Sequence, residues 1–145
     1  MDLKINYQLA SDLRLVMTRL IKKLRVKSET GAMLSLTERS TLALLDQHKT
    51  LLPSELAAME KITTQSMSQI LNKLLDYGYI ARKISATDKR KSIISITKAG
   101  QNILYKVRNE RDEWLNKALE EICTPKEKDM LRNAIGPLTK LVDYE

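Results

Sequence analysis

The chain has 145 residues, 43% apolar and 30% charged, which suits one domain with a core of its own and is too apolar for a disordered chain. One cysteine (Cys123) and one histidine (His48) exclude a disulfide framework, a Cys- or His-based metal centre and a His-dependent triad; no Gly-rich phosphate loop is present, and the formal charge of +7 points to a polyanionic partner. No apolar run approaches the ~18 residues of a membrane span and the N-terminus has no signal-peptide pattern, so the expected setting is the cytoplasm, with no membrane partner.

Four glycines and no phenylalanine favour helix. Residues 5–27 predict a long first helix, with Leu9, Leu13, Val16, Met17, Leu20, Ile21 and Leu24 at three-and-four spacing and a basic end at Lys22, Lys23, Arg25 and Lys27. Residues 28–34 predict a loop. Ser35-Leu36-Thr37-Glu38 has the form of a capping box and opens a second helix reaching His48, with Leu42 and Leu45 inside. Leu51-Leu52-Pro53-Ser54 begins a short third helix, with Pro53 at its first helical position and Leu56, Ala57 and Met59 inside.

A fourth helix follows after a turn. Thr63 or Thr64 can cap it and Gly78 can end it. Met67, Ile70, Leu71 and Leu74 share one face, which leaves Gln65, Gln69 and Asn72 opposite, with Ser68 beside them. Such a helix taken alone is commonly a plain surface helix, but its outer face carries neutral donors and acceptors suited to base edges in a major groove rather than the usual Glu and Lys. The period then changes. Arg82-Lys83-Ile84 and Ser92 to Ile96 read as two short strands around a polar, basic tip, Ser85 to Lys91. A groove-sized helix followed at once by a basic hairpin is the layout of a winged helix-turn-helix.

Charge placement agrees. Residues 61–98 hold eight basic and two acidic residues, a net +6, against +1 for the remainder of the chain. Thr97 can cap a long helix to about Ile122. Thr124-Pro125-Lys126-Glu127 is a second capping box and opens a last helix, which Gly136-Pro137 is expected to kink. The first helix and the last two expose more apolar surface than one head can cover. This predicts a dimer in which both ends of each chain interleave with the partner's.

Glu55-Leu56-Ala57, Leu74-x-x-x-Gly78-Tyr79-Ile80-x-Arg82, Asp88-Lys89-Arg90 and Ile96-Thr97-Lys98-Ala99-Gly100 occur in this order over about residues 54–100. With that order and spacing the chain resembles the MarR family of bacterial transcription regulators. The resemblance implies a mainly α fold with a small two-stranded β-wing, a winged helix-turn-helix flanked by a helical dimerisation lobe. Residues 1–145 then form a single MarR-like domain, with the DNA-binding lobe at 35–97 and the dimerisation lobe at 1–30 and 98–145. It also implies a homodimer on a near-palindromic operator, usually for repression, relieved by a small aromatic or phenolic effector in a cleft between the lobes. In that pattern Arg90 enters or flanks the minor groove and Asp88 buttresses the wing, together with Arg82 as wing support. An arginine in a narrow minor groove also has a physical warrant of its own, the strongly negative potential there.

The expected function is therefore sequence-specific binding of double-stranded DNA, without catalysis or cofactor. Gln65, Ser68, Gln69 and Asn72 would read bases, and Ser54, Thr63 and Thr64 would meet phosphates near helix N-termini. Lys83, Lys89 and Lys91 would neutralise phosphates, and Arg90 would take the minor groove. Two alternatives stand beside this. One is a winged-helix protein-interaction module, disfavoured by the lack of apolar anchors on the reading face. The other is a redox-sensing regulator using Cys123, whose plainer role is as a small filler between the last two helices.

Overall fold

The structure is a computed structural model and describes residues 3–145. Its elements, in order, are α1 (Leu3–Lys27), α2 (Leu36–His48), β1 (Thr50–Leu51), α3 (Pro53–Glu60), α4 (Thr64–Asp76), β2 (Ile80–Ile84), β3 (Ser92–Ile96), α5 (Lys98–Ile122) and α6 (Pro125–Asp143). A single 3-10 turn, Gly31–Met33, lies within the predicted loop between α1 and α2.

The helix starts follow local chemistry. Thr63, Thr97 and Thr124 each accept the amide three residues on, and Thr124 with Glu127 completes a reciprocal box. Ser35 caps α2 by accepting the Glu38 amide at 3.0 Å. Glu38 does not bond back, however. Residues 38, 42 and 45 share one stripe of the helix, so the turn that carries Leu42 and Leu45 inward carries Glu38 with them, and its Oε2 is buried without a partner. Arg39 is buried beside it in sequence, with an equally unpartnered guanidinium.

The mainly α architecture with a β-wing is present, with one addition: the sheet has three strands in the order β1-β3-β2. β2 and β3 form the antiparallel wing, with Arg82 opposite Ile94 and Ile84 opposite Ser92. β1 pairs on the other side of β3, Leu51 opposite Ile94. Two residues are too short to carry a strand period, so Leu51 reads in sequence as the approach to α3. Met59, expected inside, is exposed; the two-turn helix α3 buries only Leu56 and Ala57.

The core lies in the head formed by α2, α3, α4 and the sheet. Leu42, Leu45, Leu56, Met67, Leu71, Leu74 and Ile94 have no exposed surface there. α5 contributes Leu104 to this core, and Val107 is also buried; no residue beyond Val107 on α5 is. α6 runs through Gly136 and Pro137 as one helix. Neither α1 nor α6 contains a buried residue.

Candidate nucleic-acid interface

The turn between α3 and α4 is set by Lys61, a non-glycine residue at φ 55°, whose amide and that of Ile62 close on the carbonyls of Ala58 and Ala57. Ile62 packs on the core from this turn. α4 then buries Met67, Leu71 and Leu74, and helical geometry turns Gln65, Ser68, Gln69 and Asn72 out, all four exposed. Thr63 and Thr64 are exposed at its start, and Ser54 in the first turn of α3. The Thr63 hydroxyl is engaged within the helix start, accepting from the Ser66 amide at 3.0 Å and donating to the Ser66 Oγ at 2.9 Å.

The wing tip is ordered by its own short side chains. The Ser85 amide donates to Lys91 O at 2.9 Å and closes the loop. The Ser85 hydroxyl, almost fully buried, accepts the amides of Thr87 and Asp88. Asp88 Oδ1 accepts the Arg90 amide at 3.0 Å and Arg90 Nε at 3.3 Å. An ion pair this exposed contributes little stability. Its effect is orientation, since the Arg90 side chain remains 92% exposed and projects from the tip. Lys83, Lys89 and Lys91 are exposed around it. Arg82 is exposed on β2 and makes no side-chain hydrogen bond or ion pair among the described residues, so the wing's internal support comes from Ser85 and Asp88.

α4 ends in a Schellman turn. The Tyr79 amide reaches Leu74 O and the Gly78 amide reaches Leu75 O, each at 3.0 Å, with Gly78 at φ 78°. Position 78 therefore needs glycine's freedom in the left-handed region. Beyond the turn, Thr97 donates its hydroxyl to Gly78 O at 2.7 Å.

Sequence alone did not bring out the ties between α5 and the rest of the head. Asp46 on α2 accepts from the Tyr105 hydroxyl at 2.9 Å and Gln101 Nε2 at 3.3 Å. The bond to Asp46 favours the neutral phenol and pushes the Tyr105 pKa up. Glu110 accepts from the hydroxyls of Ser28 and Thr30, at 2.6 and 2.7 Å, and these bonds hold its carboxyl below the usual range. Partners lying some eighty residues apart leave no periodic trace in sequence. A small cleft of about 90 Å³ lies nearby, lined by Thr30, Met33, Leu34, Tyr77, Tyr79 and Ile103. The rings of Tyr77 and Tyr79 are 5.6 Å apart at its wall. Cys123 is half-buried at the C-terminal end of α5 and is not in a disulfide. No helix among the described residues is long and apolar enough to cross a membrane.

A family model described as the MarR family matches residues 34–92. An uncharacterized HTH-type transcriptional regulator of Mycobacterium leprae is 32% identical over 136 residues, 94% of each chain. An HTH-type transcriptional regulator of Mycobacterium tuberculosis matches to the same extent. A crystal structure described as a transcriptional regulator of Pseudomonas aeruginosa superposes with TM-score 0.84 at 28% identity, covering 97% of this chain and 98% of the other. The fold is shared too by Staphylococcus aureus MepR, in a structure of a point mutant bound to an oligodeoxyribonucleotide, with TM-score 0.70 at 21% identity, covering 92% and 97%.

Proposed function

Since this chain belongs to the MarR family of helix-turn-helix transcriptional regulators and its activity is DNA-directed regulation rather than catalysis, we propose that it is a cytoplasmic repressor that acts as a homodimer on a near-palindromic operator. The observation that carries this reading is the outer face of α4. Four neutral hydrogen-bonding side chains, Gln65, Ser68, Gln69 and Asn72, stand exposed in one row on α4, and the wing tip that follows in the chain projects Arg90. Gln69 and Asn72 are suited to adenine edges, and the exposed Ser54, Thr63 and Thr64 near the starts of α3 and α4 to phosphates. Lys83, Lys89 and Lys91 extend the phosphate contact.

The dimer is supported by α1 and α6, whose apolar stripes stay largely exposed within one chain. Leu9, Val16, Leu20 and Ile21 on α1 and Met130, Leu131, Ile135 and Leu141 on α6 are each at least 40% exposed. On this reading the chain divides into a DNA-binding lobe, residues 35–97, and a dimerisation lobe, residues 1–30 and 98–145. The effector would be a small aromatic or phenolic molecule in the cleft beside Tyr77 and Tyr79. At about 90 Å³ the cleft is smaller than the ~300–1,000 Å³ of common ligand sites, so a ring would enter by displacing the exposed Met33.

Fluorescence anisotropy on a selected pool of random duplexes, titrated with salt, tests the reading, with Arg90→Ala alongside. The expected result is a palindrome with half-sites about one helical turn apart, steep salt dependence and a weakened variant. No duplex binding even at low salt would refute it.

A further inference from the structure

Two hydrogen bonds fasten the turn that ends α4 to the start of α5, and one of them comes from the hydroxyl that also caps α5. The Thr97 hydroxyl donates to Gly78 O at 2.7 Å and accepts the Gly100 amide at 3.1 Å. The Thr97 amide donates to Tyr79 O at 3.0 Å. Gly100 is buried, and a Cβ on it would stand 2.1 Å from that same Tyr79 carbonyl oxygen, so a side chain cannot be accommodated where the two backbones meet without displacing one of them. Capping α5 requires only that the Thr97 hydroxyl accept the Gly100 amide. Its second bond, to Gly78, adds nothing to the cap and instead fixes where α4 ends relative to α5.

The start of α5 is held from its other sides as well. Asp46 binds Gln101 and Tyr105, and Glu110 binds the connection between α1 and α2. The first half of α5 is thus bonded to the head at two stations, Thr97 and Asp46, and the Thr97 station alone touches the turn that ends α4. α5 has 25 residues, about 37 Å at 1.5 Å per residue. A change of about 10° at its start would move its far end by about 6 Å, close to two base-pair steps of ~3.4 Å.

We propose that Thr97 and Gly100 are positioning residues: they set the angle between α4 and α5, and through it the half-site separation at which two recognition helices engage DNA together. The inference rests on the paired-operator reading above. Neither residue reads a base, so the effect falls on spacing and not on half-site sequence.

The test uses the full chain on duplexes carrying two copies of the selected half-site, their separation stepped by single base pairs, and on a duplex with one copy. Wild type is expected to peak at one separation. Thr97→Val keeps the side-chain shape and removes both hydroxyl bonds. It is expected to bind the single half-site within about twofold of wild type and to lose roughly tenfold at the preferred separation, flattening the profile. Thr97→Ser keeps the hydroxyl and should restore the peak. Gly100→Ala, which must displace the Tyr79 carbonyl, should move the optimum to another separation. A Thr97→Val profile with the wild-type peak and height would overturn the assignment while leaving the paired operator intact. So would an equal loss on the single half-site and at every separation, the mark of a residue that only stabilises the fold. A wild type indifferent to separation would sink the inference and the paired operator together.

Discussion

Leu71 on α4 and Ile135 on α6 are both apolar residues on amphipathic helices, yet the first has no exposed surface and the second is 63% exposed. The difference holds for whole regions. The head closes a core from α2, α3, α4 and the sheet, with α5 laid across it. α1 and α6 carry the same kind of helical stripe and contain no fully buried residue. Amphipathicity therefore states which face of a helix must be covered but not what covers it. In the head the cover is the same chain, and for the flanking helices we propose a second copy. The outer face of α4 is a third case: exposed like α6, but lined with hydrogen-bonding groups in place of apolar ones, as a face completed by nucleic acid requires.

This contrast can be broken experimentally, and the largest effect should come from the head. Leu42→Ala is expected to cost ~2–5 kcal/mol, read from the denaturant midpoint, because it opens a cavity in a closed core. Ile135→Ala should cost less than ~0.5 kcal/mol of head stability and instead shift sedimentation equilibrium from pairs toward single chains. Equal loss of amide-exchange protection in the head for both variants would erase the distinction between the regions. On the DNA face, Gln69→Ala should reduce discrimination at one base pair by ~1–3 kcal/mol, whereas Lys91→Ala should weaken all duplexes alike and lower the salt slope by about one unit. If Gln69→Ala weakened every sequence equally, Gln69 would not be a reader.

At the end of α4, Gly78→Ala should cost about 1 kcal/mol by thermal melting, since alanine must adopt φ 78° there. The smallest effect is expected at the joint between the regions. Glu110 has its pKa held below the ordinary 4.5 by bonds from Ser28 and Thr30. Its contribution is therefore complete above that value and is lost as pH falls through the lowered one. Glu110→Gln should melt below wild type at neutral pH, and the two curves should converge as pH drops below 4.5. A gap that persisted in strong acid would show that the charge of Glu110 plays no part.

Much of the head was legible because its signals are local. A helix start needs one side chain and an amide three residues away, and Thr63, Thr97 and Thr124 supply them where expected. The four-residue row on α4 follows from the position of its apolar stripe. The same logic failed at Glu38: the box pattern was present, but packing turned the carboxylate inward, and burial outweighed one local bond. It also failed at Leu51, whose strand exists only because β3 lies alongside. The pairing of Asp46 with Tyr105, and of Glu110 with Ser28 and Thr30, joins residues far apart in the chain, so no spacing rule could have found it.

By itself, then, the sequence determined the helices, most of their caps, the basic wing and the polar row of α4, because each depends on groups within a few residues of one another. Only the tertiary structure decided the third strand, the burial of Glu38 and Arg39, the cleft beside Tyr77 and Tyr79, and the meeting of Thr97 and Gly100 with the end of α4. Those depend on which distant surfaces come together, and chain distance carries no information about that until the core has closed.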